Sequence, residues 1–256
     1  MPGSIMKVPI GGGATVEIVS AQNYPWTIAV ARLGGGDGVY WTNLGDANFG
    51  SVSTLLPGNV VPDVLDAELV NPTALGVSDM RMMWASNDAL KVATLLGQDP
   101  VPIVPNQSGA SLLAVDDTNV YWSDGGTIRQ APIRGGATIT LATDDGITSM
   151  AIDATSVYWT VALSVWKVPI GGGTPTTIAT GQSDVGGVAV DGASAYYWSD
   201  DGQVVTGGNH IMKVDLAGGT PTVLAEGQNP ATRLQVDSTS VYWGNYEGPL
   251  MKLTPK

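Results

Sequence analysis

Apolar residues in this chain recur in short runs that are rich in β-branched and aromatic side chains and are bounded by Gly, Asp or Pro. Each run is about five residues long, and apolar and polar positions alternate within many of them, which is the pattern of β-strands. No stretch carries an apolar stripe at helical spacing. The pattern therefore predicts an all-β chain.

An aromatic pair marks a repeat that runs through the sequence. The pairs are Tyr40-Trp41, Met83-Trp84, Tyr121-Trp122, Tyr158-Trp159, Tyr197-Trp198 and Tyr242-Trp243. Most pairs are preceded by an apolar segment that ends in Asp. They are followed, in order, by a segment with a basic residue, a Gly-rich turn and a run of Thr, Val and Ile. Each unit thus predicts four strands, a to d, in about 40 residues, which is the period of a propeller blade.

Six a and six b strands predict one six-bladed β-propeller of four-stranded antiparallel blades, a single domain spanning residues 1–256. The chain starts with a c and a d strand and ends with a, b and c. We therefore expect an N-terminal strand, near residues 14–19, to join the last blade beside residues 250–253 and close the ring. Either Ile5-Met6-Lys7 or Leu250-Met251-Lys252 is then a redundant c strand.

Several motifs resemble known propeller repeats. Val120-Tyr121-Trp122-Ser123-Asp124 and Tyr197-Trp198-Ser199-Asp200 resemble the YWTD repeat of lipoprotein-receptor propellers, and the a-strand pattern resembles bacterial NHL-type propellers. The Gly-rich turns at residues 7–13 and 167–173 resemble repeats in secreted or surface propellers of environmental bacteria. The resemblance implies the six-bladed fold and an extracellular or periplasmic location, although no signal peptide is visible. It does not specify a function, because such propellers bind proteins, glycans and small ligands, and some are enzymes.

Composition excludes several classes of function. The net charge is −12 with no Lys/Arg cluster, which argues against nucleic acid and against anionic membranes. No apolar stretch is long enough to span a membrane, and there is no Cys for disulfides or thiolate metal sites. The one histidine, His210, cannot form a multi-histidine metal site, and no Gly-x-Ser-x-Gly motif is present. We therefore predict no catalytic residues and expect a monomer.

The repeated residues are interpreted as structural. One member of each aromatic pair should pack between blades and the other on the opposite face. The Asp before each a–b turn should accept backbone N–H groups; these residues are Asp116, Asp153, Asp191 and Asp237. The basic residues of the c strands should place a charge on the exposed face of the blade.

Candidate binding residues lie where the repeat is interrupted. The b–c loops of the first and fifth units are long, and that of the sixth carries an aromatic and an acidic residue. Blades five, six and one are consecutive in a six-membered ring, so we expect one cluster of loop residues on one face. With the aromatic residues before the first blade, the candidates are Tyr24, Trp26, Asn43, Asp46, Asn48, Phe49, Asp200, Asp201, Asn209, His210, Asn245, Tyr246 and Glu247.

Aromatic rings beside carboxylates and amides suit a glycan, a peptide or protein, or a small polar ligand. The sequence therefore predicts a non-enzymatic binding module. Two alternatives stay open: a lactonase-like hydrolase or lyase, and a purely structural scaffold. No cofactor is predicted; Ca²⁺ on Asp46, Asp200, Asp201 and Glu247 remains an alternative, although no spacing matches a known calcium loop.

Overall fold

The computed structural model describes residues 2–46, 49–85, 89–107, 109–200, 208–228, 231–245 and 248–256. Every regular element in these residues is a β-strand, which confirms the all-β prediction. The chain divides into two compact units: residues 1–124 with 130–139, and residues 125–129 with 140–256. Its fold class is the predicted six-bladed β-propeller, built from consecutive antiparallel sheets.

The strands follow the predicted a-b-c-d order within each sheet. A hairpin of β1 (Pro2–Lys7) and β2 (Val16–Asn23) precedes the first sheet. The first sheet contains β3 (Pro25–Leu33), β4 (Gly36–Asn43), β5 (Gly50–Leu55) and β6 (Asp63–Leu69), and the second β7 (Leu75–Val77), β8 (Arg81–Ala85), β9 (Ala89–Thr94) and β10 (Val101–Pro105). The third contains β11 (Leu112–Val115), β12 (Asn119–Ser123), β13 (Thr127–Pro132) and β14 (Ile139–Thr143), and its strands are divided between the two units.

The remaining sheets belong to the second unit. The fourth contains β15 (Ile147–Ile152), β16 (Ser156–Val161), β17 (Ser164–Pro169) and β18 (Thr176–Ala179). The fifth contains β19 (Ser183–Val190), β20 (Ser194–Asp200), β21 (Asn209–Asp215) and β22 (Thr222–Gln228). The sixth contains three strands: β23 (Ala231–Val236), β24 (Val241–Asn245) and β25 (Leu250–Leu253).

The aromatic pairs have the structural roles that the pattern predicts. In the fourth sheet Tyr158 packs against Val185 and Val188 of the next sheet. Trp159, its neighbour, points to the other face and stacks on Trp166 across the strand pair, with ring centroids 6.3 Å apart. Tyr158 and Trp159 are each 1% exposed. Alternation along one strand therefore supplies the aromatic core on both faces of the blade.

The aromatic pair of the fifth sheet is one residue earlier than predicted. The Tyr196 hydroxyl bonds Asp191, five residues before it, as Tyr158 bonds Asp153. The slot therefore holds Tyr196-Tyr197, not Tyr197-Trp198. The ring of Trp198 instead covers Gly186, where an added Cβ would lie 2.4 Å from the indole.

The strand predicted to close the ring lies in a two-stranded sheet. β2 pairs with β1, its neighbour in the chain, with Ile5 opposite Val19 and Lys7 opposite Val16. Among the described strands, β25 lies next to β24 in the sheet of β23, β24 and β25. The Gly-rich turn that joins β1 and β2 allows a local hairpin, and a short loop costs far less entropy to close than one of more than two hundred residues.

Lys7 and Lys252 on the c strands are exposed, as predicted, whereas the other basic residues of these strands are half-buried. Lys91 forms an ion pair with Asp66 of the preceding sheet at 2.8 Å, with side chains 28% and 17% exposed. Lys167 donates to the carbonyl of Leu216 in the following sheet at 2.7 Å. These lysines connect neighbouring sheets within their units instead of only charging a free face, because their long stems can cross between blades while the ammonium keeps a partner.

Candidate functional site

Four of the predicted residues lie on two hydrogen-bonded segments of the first unit. Tyr24 lies between β2 and β3, Trp26 on β3, and Asp46 and Phe49 between β4 and β5. Their side chains are exposed, with Trp26 58% and Phe49 71% accessible. We call Tyr24, Trp26, Asp46 and Phe49 the Trp26 surface.

Backbone hydrogen bonds tie the two loops of the Trp26 surface together. The amide of Leu44 donates to the carbonyl of Tyr24 at 2.9 Å, and the amide of Gly45 donates to the carbonyl of Asn23 at 3.1 Å. The side-chain amide of Asn23 donates to Asp46 Oδ2 at 3.3 Å. Gly45 has φ +68° and touches the carbonyl of Phe49, so a side chain there would clash. The loop backbone is thus held against the start of β3.

Asn43, at the end of β4, is hydrogen-bonded next to the Trp26 surface. Its side chain is buried, and its Nδ2 donates to Gln22 Oε1 at 3.1 Å and to Ser51 Oγ at 3.2 Å. Gln22 Oε1 also accepts the indole N–H of Trp41 at 2.8 Å. Asn43 therefore bonds side chains of β2 and β5, and Gln22 is a hydrogen-bond partner that the sequence interpretation missed. No repeat marks Gln22, so its role was visible only in the structure.

An apolar stripe extends the Trp26 surface along β3. Ile28 and Val30 follow Trp26 at alternate positions and are 53% and 56% exposed. A pocket of about 200 Å³ lies beside them, between β1 and β3, and is lined by Ser4, Ile5, Met6, Pro25, Trp26, Thr27 and Ile28. Ile28 and Val30 are not among the predicted site residues, because the sequence predicts candidates only where the repeat is interrupted.

The predicted residues of the second unit lie on paired strand ends. Asp200, at the end of β20, pairs across the sheet with Asn209, at the start of β21. His210 is the next residue of β21 and is half-buried, whereas Asn209 is buried. Asn245 ends β24, and its backbone carbonyl accepts the amide of Gly248 at 2.9 Å. Asn48, Asp201, Tyr246 and Glu247 lie outside the described residues.

The residues that the structure describes contain no group of three or more His, Cys, Asp or Glu side chains placed to hold a metal ion. In the same residues there is no helix long and apolar enough to cross a membrane.

The recurring turn aspartates form a second type of local arrangement. Oδ1 of Asp153 accepts the amides of Thr155 and Ser156 at 2.7 and 2.8 Å, as predicted. Oδ2 accepts the Tyr158 hydroxyl at 2.7 Å, a bond that was not predicted. Burial opposes the charge of Asp153, but these hydrogen bonds outweigh it and lower its pKa. Burial, together with the bond to Asp153, raises the pKa of Tyr158 to about 12.

No protein-family model and no curated protein matches this chain. Among solved structures, a chain from the crystal structure of a nidogen/laminin complex has a TM-score of 0.61 at 17% identity, covering 84% of this chain and 87% of that one. TolB from Acinetobacter baumannii has a TM-score of 0.53 at 11% identity, covering 85% of this chain and 61% of its own. At these identities the likeness shows a shared six-bladed β-propeller fold. The resemblance to YWTD and NHL repeats is therefore not a family assignment.

Proposed function

We propose that this chain is a non-enzymatic binding module that takes a segment of a protein partner on the Trp26 surface. One observation carries the proposal: three exposed aromatic side chains, Tyr24 before β3, Trp26 on β3 and Phe49 after β4, lie on segments that are hydrogen-bonded to each other beside the carboxylate of Asp46. Exposed aromatic clusters with a charged neighbour are typical of the centres of protein-binding surfaces.

The character of the surface indicates the chemistry of the partner. Ile28 and Val30 continue it as an aliphatic stripe, which suits apolar side chains of an extended segment. Asp46 and a net charge of −12 favour a partner with Lys or Arg near those apolar residues. The partner is therefore an apolar segment flanked by basic residues.

The nidogen/laminin structure supports this proposal only by analogy. That structure is a nidogen/laminin complex, so a chain of related fold occurs in a protein assembly. Fold likeness alone does not carry function from one protein to another. The proposal rests on the exposed aromatic residues.

A peptide selection tests the proposal. A phage-displayed library of random peptides is selected on the wild-type protein after depletion on the double variant Trp26→Ala, Phe49→Ala. We expect enriched peptides that combine apolar and basic residues and lose at least about tenfold in affinity on Trp26→Ala, since an aromatic residue at the centre of an interface contributes about 1–2 kcal/mol or more. Fluorescence anisotropy with synthetic peptides gives the affinities.

Matched controls remove exposed apolar side chains elsewhere. Val60→Ala and Leu163→Ala truncate residues that are 90% and 53% exposed and should leave the affinity unchanged. The proposal is wrong if no peptide is enriched, or if the enriched peptides bind the Trp26→Ala variant as tightly as the wild type. Binding of uncharged glycans at the Trp26 surface, without any peptide binding, would also contradict a protein partner.

A further inference from the structure

Two pockets with the same repeat residues lie at the a–b turns of the second unit. One, of about 420 Å³, is lined by Asp191, Tyr196 and Lys213 together with Lys256 and its neighbours. The other, of about 450 Å³, is lined by Asp153, Tyr158 and Lys167 together with Gly192 and Ala217. Asp191 and Tyr196 are hydrogen-bonded to each other, as are Asp153 and Tyr158. Lys213 and Lys167 come from the c strands of the same two sheets.

The pocket beside Asp191 holds an ammonium group. Lys256 Nζ lies 2.6 Å from Asp191 Oδ2, and the lysine side chain is only 9% exposed. The same ammonium lies 5.3 Å from the centroid of the Tyr196 ring and donates to the backbone carbonyl of Asp237. A carboxylate, an aromatic face and a carbonyl are together the partners that a desolvated ammonium requires.

The pocket beside Asp153 repeats the carboxylate, and in the described residues no lysine ammonium pairs with it. Ala217, an exposed turn residue, lines it at the place that Lys256 takes in the other pocket. In the occupied pocket the carbonyl of Asp237 accepts Lys256. The counterpart of Asp237 in the preceding repeat is Asp191, whose carbonyl comes directly before Gly192 in the lining of the open pocket. The pocket beside Asp153 therefore has the counterpart lining residues, and the short side chain of Ala217 does not fill it as Lys256 fills the other pocket.

The c-strand lysine does not prevent a second ammonium from binding. In the occupied pocket Lys213 Nζ is directed at the backbone oxygen of Lys256, 3.4 Å away, and coexists with the Lys256 ammonium. In the open pocket Lys167 Nζ is held at 2.7 Å by the carbonyl of Leu216. Oδ2 of Asp153, which accepts Tyr158, corresponds to the oxygen of Asp191 that accepts both Tyr196 and Lys256.

We propose that the pocket beside Asp153 binds a primary alkylammonium group, and that its natural occupant is a lysine side chain of a partner protein. The carboxylate of Asp153 pairs with the ammonium, and the open turn at Ala217 admits the alkyl stem and the chain. This site is at the a–b turns, at the opposite ends of the strands from Asp200 and Asn209. It is independent of the Trp26 surface.

Isothermal titration calorimetry with Nα-acetyl-lysine methylamide tests the site. A single partly exposed ion pair with a buried stem corresponds to a dissociation constant on the order of millimolar. We expect saturable binding, no binding of the Nα-acetyl-norleucine methylamide, and at least a tenfold loss on Asp153→Asn. n-Butylammonium should bind more weakly than the lysine derivative, and tighter binding of this free amine would contradict a protein lysine as the occupant.

Substitution at Ala217 keeps the test valid if Asp153→Asn unfolds. Ala217→Lys places a lysine where Lys256 stands in the other pocket, and we expect it to abolish binding of the probe. Ala217→Ser leaves the pocket open and should bind as the wild type does. The proposal is overturned if the probe shows no saturation up to about 50 mM, if norleucine binds equally, or if Ala217→Lys binds the probe as well as the wild type. Peptide selection on the Trp26 surface is unaffected by these substitutions, so the two proposals can fail separately.

Discussion

At the scale of single residues, the repeat encodes a clamp, a hydrogen bond from a core tyrosine to the aspartate of the a–b turn, in four of the sheets. Asp116 Oδ1 accepts the amides of Thr118 and Asn119, and its Oδ2 accepts the Tyr121 hydroxyl at 2.8 Å. Tyr121 is fully buried, so this bond satisfies a hydroxyl that would otherwise be costly. The turn role could be predicted from the Asp-x-Thr/Ser pattern. The tyrosine bond could not, because it depends on a spacing of five residues that acquires meaning only when the strands pair.

The clamp predicts a specific dependence of stability on pH. Burial opposes the charge of Asp116, but bonds from Thr118, Tyr121 and Asn119 outweigh it and lower its pKa below the unfolded value of about 4. A lowered pKa in the folded state contributes stability that is present above about pH 4 and is lost as the pH falls through the folded pKa. Asp116→Asn should therefore flatten the fall in unfolding free energy between about pH 4 and pH 2, as measured by urea denaturation.

Asp117 provides the control for this measurement. It neighbours Asp116 but is exposed, and Asp117→Asn changes the net charge by the same amount. Tyr121→Phe should cost about 1–2 kcal/mol at neutral pH, because the Asp116 carboxylate loses a hydrogen bond. Equal acid sensitivity in the wild type, Asp116→Asn and Asp117→Asn would contradict the role of the clamp.

At the scale of elements, the order of the strands within each sheet was predictable, whereas the partner of β2 was not. The c strands β1 and β25 share the pattern Ile/Leu-Met-Lys-Val/Leu, so the sequence offers β2 two equivalent partners. The structure pairs β2 with β1, and this hairpin packs Ile5 and Val19 on the buried Trp41 of the first sheet. Counting repeats fixes how many strands of each kind exist, whereas pairing depends on which loop costs less entropy to close.

The hairpin should therefore contribute to the core of the first unit. Ile5 is 4% exposed and Met6, beside it on β1, is 47% exposed. Ile5→Ala should lower the free energy of unfolding by about 2–4 kcal/mol, because it leaves a cavity against Trp41. Met6→Ala should change it by less than about 0.5 kcal/mol. Urea denaturation followed by tryptophan fluorescence measures both, and equal effects would show that β1 is not part of the core.

At the scale of the whole molecule, regular repeats build the fold, and departures from the repeat are the candidates for function. The fold class could be predicted because six units carry the same strand pattern, with aromatic pairs at a constant depth. The Trp26 surface was predicted from the loops and aromatic residues that break the pattern, while Ile28 and Val30 were missed because their exposure depends on what packs against β3. Pockets at the a–b turns were missed because the turn aspartates were interpreted as caps alone.

Hydrogen–deuterium exchange of the wild-type protein, with and without a peptide selected on it, tests the proposed function most directly. Binding at the Trp26 surface predicts slower exchange in residues 22–30 and 43–46, because the peptide covers β3 and the loop that is tied to it. The turn at residues 191–194 should exchange at an unchanged rate. Protection confined to other segments, with none in residues 22–30, would contradict the account.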